Sequence, residues 1–334
     1  MLPVPPEAPL LAASRRKALK LGLLGLAGIG APALAEAGKG FTHCVASGEP
    51  GPNQVLLWTR YASADETKLK WEMAEDAAFT HVVVQGEATA SPANDSCARA
   101  WAKGLKPGKW YFYRFIAPDG EKSPVGRTKT LPVGKVDKFR IAVFSCSNYG
   151  FGWFNAYGHA AEAGDFDLVL HLGDYFYEYA RGTYPDAKEG LTDRLVPVDE
   201  AVTLAGYRER FSTYRLDPDL QRLHQLYPMI AMWDDHEVAN DAWKDGAENH
   251  QPETEGPYAV RKTVSEKAYR EWLPVSEDYW AQYEIGKLAT LFRLETRHVA
   301  REKPFDLGDL MKGKRGPELE AALAAPSSGP RLPF

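Results

Sequence analysis

The chain has no surplus of basic residues. Its 40 Lys and Arg stand against 45 Asp and Glu, for a formal net charge of -5, and its isoelectric point lies near 6.0. Non-specific binding to nucleic acid needs a basic surface, so this balance argues against it. It says little about small anionic substrates, because a bound cation inverts the local field. A membrane anchor is the other reading of the apolar run at residues 21–34, but that run is shorter than the roughly 20 residues a helix needs to span a bilayer. Internal repeats and low-complexity tracts are missing too. Cysteine is scarce, with three residues in 334. Cys44 and Cys97 either pair in an oxidising compartment or remain two free thiols, and Cys146 is then the odd one. What is left is the composition of a soluble globular protein, 44% hydrophobic and 25% charged, long enough for two domains.

The N-terminus reads as an export signal over residues 1–35. Ser14-Arg15-Arg16-Lys17-Ala18-Leu19-Lys20 sets paired arginines before a Gly-rich apolar run, and Ala33-Leu34-Ala35 offers small residues for cleavage. This is the pattern of a twin-arginine signal, which implies the Tat translocation machinery as a transient partner and a periplasmic or secreted destination. That route carries folded proteins and suits one that loads metal before export. From 41 to about 132 the pattern is β, with strand-like runs at 55–59, 68–73, 81–85 and 110–115 between Gly-, Pro- and Asn-rich turns. Leu105-Lys106-Pro107-Gly108 ahead of Trp110-Tyr111-Phe112-Tyr113 looks like the turn into a late strand of a fibronectin-type or Ig-like sandwich.

Residues 139–179 organise the rest. The apolar runs 139–144 and 167–172 suit strands buried on both faces, and 155–163 suits a helix between them, giving a βαβ unit. Ser145-Cys146-Ser147-Asn148 follows the first run, and Gly173-Asp174-Tyr175-Phe176-Tyr177 follows the second. A third run, 229–233, leads into Asp234-Asp235-His236-Glu237. Ligands in open parallel sheets sit beyond the carboxyl ends of the strands, so these segments can meet there. Helices are expected at 202–215, 218–226 (with Asp217 as N-cap) and 264–272, and a further strand at 288–294. The arginines of the first two helices are expected to be solvated, and 181–200 to be a loop on the substrate side.

Asp174 beyond a buried strand is costly without a partner, which favours metal ligation over a salt bridge or cap. Cys146, Tyr177 and Asp174 together offer thiolate, phenolate and carboxylate, a set that neutralises a highly charged, fairly soft cation such as Fe³⁺. Zinc prefers His and Cys, and Mg²⁺ or Ca²⁺ alone would not select a thiolate. At least one of Asp234 and Asp235 should be a ligand, and Asn240 offers a carbonyl oxygen to a hard cation such as Ca²⁺. His236 suits either metal binding or general-acid work on a leaving group. His171, inside a strand, suits packing or the orientation of a ligand.

In order along the chain, Val45-Ala46-Ser47-Gly48-Glu49-Pro50, Leu57-Trp58-Thr59-Arg60, Ser145-Cys146-Ser147-Asn148, His171-Leu172-Gly173-Asp174-Tyr175 and Trp233-Asp234-Asp235-His236-Glu237 resemble the PhoD-like (alkaline phosphatase D) branch of the metallophosphatases. The resemblance implies an α/β fold, α+β overall. An N-terminal sandwich at 41–132 would precede an αββα metallophosphatase domain at 138–334. It implies a mixed Fe³⁺/Ca²⁺ centre hydrolysing small phosphate mono- and diesters through a metal-activated hydroxide. Cys146, Asp174 and Tyr177 match the iron side, with Asp174 bridging, and Asp234, Asp235, His236 and Asn240 match the calcium and phosphate side. The family continues into a second half of the core that completes the site. Here no Gly-Asp-x-His follows Glu237, so the chain is expected to be C-terminally truncated. Phosphodiesterase or phospholipase specificity, and an inactive remnant that binds metal or phosphate, stay open beside the hydrolase.

The paired arginines yield the first prediction. Changing Arg15→Lys together with Arg16→Lys should leave folded precursor inside the cell, scored by fractionation and immunoblot. Unchanged export of the double variant would assign the general secretory route.

Overall fold

A computed structural model describes residues 39–304 and 311–324; the expected export signal lies outside them. Seven strands fill the N-terminal third. These are β1 (Gly40–Gly48), β2 (Gln54–Ala62), β3 (Thr67–Ala74), β4 (Val82–Ala90), β5 (Cys97–Lys103), β6 (Trp110–Ile116) and β7 (Gly126–Lys129). Antiparallel β4-β3-β6-β7 faces the set β5-β2-β1, and Val45, Val55, Leu57, Leu69, Trp71 and Phe115 fill the space between them. Runs of β-branched and aromatic residues broken by Gly and Pro form such half-buried strands.

The second sheet does not end with β1. After β8 (Ile141–Phe144), helix α1 (Asn155–Ala163) crosses to β9 (Leu168–His171). Helices α2 (Leu204–Arg215) and α3 (Pro218–Leu226) then lead to β10 (Pro228–Ala231). These three strands are parallel, and β1 joins them along β10 with Ser47 opposite Pro228 and Gly48 opposite Met229. One six-stranded sheet, β5-β2-β1-β10-β9-β8, therefore runs through both halves of the chain. Strand β2 is buried nearly throughout because its two faces serve different cores. Val55 and Leu57 point into the sandwich, and Trp58 points into the helical core with Tyr207, Phe211 and Trp272. At the junction only glycine fits position 48: a Cβ there would lie 2.2 Å from the carbonyl oxygen of Pro274.

Helix α2, α3 and the later α5 (Tyr258–Trp272) cover one face of the parallel strands; the short α4 (Pro252–Glu255) precedes α5. Asp217 caps α3 as expected, accepting from the Asp219 and Leu220 amides. The hairpin of β11 (Ala281–Ile285) and β12 (Ala289–Arg293) lies over the other face, where Leu168, Ile230, Leu131 and Tyr283 pack. Beyond its reach β8 forms the sheet edge, with Val143 54% and Leu172 45% exposed. The chain thus folds as mixed α/β with several sheets. A final helix, α6, spans Pro317–Ala324. No helix among the described residues is long and apolar enough to cross a membrane.

One open alternative is resolved and two expectations are corrected. Cys44 and Cys97 are both free thiols, as is Cys146. Strand β2 lies between the strands that carry the first two, and two inter-strand steps of ~4.8 Å exceed the Cα reach of a disulfide. The arginines of α2 are not all solvated. Arg210 and Arg215 are buried; Arg215 stacks 4.0 Å over Trp58 and donates to the Trp272 carbonyl at 2.9 Å. Helix α5 also begins earlier than the expected 264, at Tyr258.

Glu49, just past β1, forms a buried ion pair with Arg293 at the end of β12 and accepts a 2.6 Å hydrogen bond from Tyr283. Breaking a buried pair leaves one charge uncompensated. Glu49→Ala should therefore destabilise the fold by about 3 kcal/mol in denaturant unfolding; a loss below about 1 kcal/mol would show the pair to be solvated.

Candidate metal centre

The three strand ends converge as their order in the sheet requires. After β8 the amide of Cys146 donates to the Gly173 carbonyl at 3.1 Å, and the Ser147 amide donates to the Asp174 carbonyl at 2.8 Å. Cys146 and Asp174 both hold left-handed backbone angles, φ +56° and +51°. Such angles cost energy for residues with a Cβ and cluster at functional sites. Gly173 lets the β9 and β10 loops touch, since a Cβ would fall 2.4 Å from the Asp234 nitrogen. Glu237 then ties them: its carboxylate accepts from the Tyr175 amide at 2.6 Å and the Asp234 amide at 2.9 Å.

On this frame the Cys146 thiol and the Tyr177 hydroxyl both approach Asp174 Oδ2, at 3.4 and 3.3 Å. Asp174, Asp235 and His236 offer ligand atoms within 4.8 Å of one another. All three are buried. Asp234 turns away, with Oδ1 2.5 Å from Arg297 Nε. The Asn240 side chain donates to Glu248 at 2.9 Å, while its backbone amide donates to Glu178 at 2.7 Å. His171 lies beneath, its Nε2 3.1 Å from Ser147 Oγ and 3.0 Å from the Tyr157 hydroxyl.

The charges in the cluster are not balanced. Burial, with Asp235 and Asp234 nearby, pushes the Asp174 carboxyl up despite the opposing pull of His236. Burial, reinforced by Asp174, pushes Glu237 to about 8. Burial also drives the Tyr177 phenol far above its usual range, again with Asp174 adding to it. Asp174 Oδ1 is buried without a hydrogen-bond partner. An orphaned carboxylate oxygen among suppressed anions, with thiol and phenol aimed at its twin, is the environment a cation relieves. Asp174, Asp235 and His236 could together hold one metal ion, with the Cys146 thiol and the Tyr177 hydroxyl set against Asp174 Oδ2.

A second cation fits less well. The Arg297 guanidinium pairs with Asp234 and stands 3.4 Å from Asp235 Oδ1 and 3.9 Å from Asp241 Oδ1. That places a positive charge among the carboxylates expected to hold calcium. Sequence reasoning missed Arg297. Its one signal was position, four residues past the end of β12, like the acidic segments past β9 and β10.

Two more groups carry weight without having been singled out. Glu178 is fully buried; it bonds His236 Nδ1 at 2.7 Å and accepts from Asn249 Nδ2 at 2.9 Å as well as from the Asn240 amide. Arg210 donates to the carbonyls of Tyr177, Glu178 and Tyr179 and so fixes the backbone of that loop. Burial alone would depress His236, but the bond and charge of Glu178, with Asp174 and Asp235, raise it to about 9.

This constellation lies at the carboxyl ends of parallel strands, and the chain belongs to the PhoD-like phosphatase family. The family profile described as "PhoD-like phosphatase" matches residues 141–326, and "PhoD-like phosphatase, N-terminal domain" matches 29–132. Alkaline phosphatase D of Bacillus subtilis (strain 168) is 36% identical over 277 residues, which are 77% of this chain and 46% of that protein. The solved structure titled "Structure of PhoD" superposes with a TM-score of 0.74 at 33% identity, covering 81% of this chain and 54% of the other. The chain thus spans about half the length of the relatives it matches.

The His236–Glu178 pair gives a pH prediction for the metal-free chain. A histidine raised in the fold contributes stability that is full below its unfolded value near 6.5 and is lost as pH rises through about 9. The melting temperature should fall between pH 6.5 and 9.5, and His236→Gln should flatten that slope. Parallel profiles for the two proteins would remove the pair as the cause.

Proposed function

We propose that this chain is an exported, metal-dependent phosphoric ester hydrolase acting on small phosphate mono- and diesters. One observation carries the reading: the Cys146 thiol and Tyr177 hydroxyl converge on Asp174 Oδ2 while Asp174 Oδ1 stays buried and unpartnered. Thiolate, phenolate and carboxylate favour Fe³⁺ at that position, and a cation held there would supply Lewis acidity and a nucleophile at moderate pH. The chain's own groups do the rest. Asp174 and Asp235 orient the charge, and Gly173 and Glu237 fix the spacing of their loops. His236, steadied at Nδ1 by Glu178, either holds the cation as a neutral ligand or, protonated, gives a proton to the leaving oxygen. Arg297 stands where it can neutralise the phosphoryl oxygens or, in a longer protein, yield its carboxylates to Ca²⁺. We read 41–132 as a fibronectin-type sandwich, 138–334 as part of an αββα catalytic domain, and the N-terminus as a Tat signal. The twin-arginine pattern supports delivery to the periplasm or medium.

A second reading, cation or phosphate binding without turnover, is favoured by the ion pairs of Arg297 with Asp234 and Asp235. One experiment separates the two. The chain supplied with Fe³⁺ and Ca²⁺ should release p-nitrophenol from its mono- and bis-phosphate esters, and Asp174→Asn should lower the rate at least ~100-fold, about 2.7 kcal/mol of transition-state stabilisation. Bound iron should give a visible band that Tyr177→Phe removes. Metal retention without turnover would establish the second reading, and stoichiometric zinc in a colourless protein would end the assignment of iron.

A further inference from the structure

Beside Cys146 and Tyr177 a crevice of about 540 Å³ opens between the loop after β8 and the loop around Tyr184. Its walls are aromatic. Phe151, Trp153 and Tyr184 are 40, 37 and 46% exposed there. The rings form a connected set: Phe151 meets Tyr184 edge-on at 4.9 Å, Tyr184 lies 5.7 Å from Tyr177, and Tyr177 lies 4.2 Å from His236. Trp153 is held in place from behind by the Arg194 guanidinium, 4.7 Å from its ring, itself locked to buried Asp217 at 2.6 Å.

None of the residues lining this crevice is a Lys, Arg, Asp or Glu. That contrasts with the carboxylates next door, and it bears on what can occupy the space. A second phosphate, or any other anionic leaving group, would find no counter-charge. A neutral planar group would find ring faces on several sides. The wall also contains Asn148, whose Oδ1 accepts from the Gly150 amide at 3.0 Å while its buried Nδ2 has no partner. Large rings left this accessible next to a reactive centre mark a binding surface more than a packing defect.

We propose that this crevice is the leaving-group subsite, and that it selects phosphate esters whose leaving group is neutral and aromatic over those with small alkyl or anionic ones. The proposal rests on the phosphoester reading above. With the phosphoryl group at Asp174 and His236, the leaving group extends past Tyr177 and lies between Phe151, Trp153 and Tyr184. These residues determine specificity and hold no proton or metal of the reaction.

The test uses binding of inert analogues, so it does not depend on turnover. The chain is labelled with 5-fluorotryptophan, Trp153→Phe assigns the Trp153 resonance, and phenylphosphonate and methylphosphonate are titrated in the presence of Fe³⁺ and Ca²⁺. Phenylphosphonate should bind on the order of tenfold more tightly and shift the Trp153 signal. Methylphosphonate should bind without moving it. Combining Phe151→Ala with Tyr184→Ala should bring the phenyl ligand to the methyl ligand's affinity and leave the latter unchanged. Equal affinities in the unaltered chain, or a phenyl complex with an unmoved Trp153 signal, would overturn the subsite alone. If neither ligand binds, the phosphoester reading fails and the subsite falls with it.

Discussion

The buried carboxylate of Glu237 is the constraint on which the site depends. Its two oxygens receive the amides of Tyr175 and Asp234, and so clamp the loop after β9 to the loop after β10. Every proposed ligand except Cys146 lies on one of those loops. The clamp closes only because Gly173 brings no side chain to the contact. It also explains why Glu237 is buried at the cost of an elevated pKa near 8. Two backbone donors cannot fully offset desolvation and the adjacent charge of Asp174. A cation at Asp174 would lower that cost and so would link metal binding to the integrity of the clamp.

The N-terminal layer takes part in the same construction. Because β1 extends the parallel strands, Trp58 packs in the helical core, Glu49 anchors the β11–β12 hairpin, and that hairpin delivers Arg297 to the acidic cluster. A position in the first sixty residues therefore sets the place of a guanidinium nearly 250 residues later.

Much of this was legible in the sequence because short apolar runs ending in polar motifs have one economical meaning in a parallel sheet. Cys146, Asp174 and Tyr177 come together from two such clues, and helix 155–163 and the Asp217 cap follow from local chemistry. What escaped reading depends on distant partners. Glu178 sits between two tyrosines like any exposed strand-end acid, and only the fold shows it beneath His236. Arg210 and Arg215 look like the polar face of an amphipathic helix, yet bury their guanidinium groups on backbone carbonyls and on Trp58. The Cys44–Cys97 pairing was an option by count alone and failed on the strand order. Even the strands β1, β5, β7 and β11 were hard to see, since each mixes small, polar or charged residues with few apolar ones.

The joint between β1 and β10 has a consequence for how the molecule is made. Ser47 reaches its partner Pro228 across some 180 residues of chain. At the usual 5–20 residues per second, roughly 10–40 s of translation separate the two. Throughout that interval the free side of β1 is an unpaired strand edge beside a finished sandwich, open to association with other chains. The parallel strands themselves close late, through contacts of high sequence separation, which makes their assembly slow. A nascent chain of this design has reason to be shielded until β10 emerges, and its ribosome-bound stage is where aggregation threatens most.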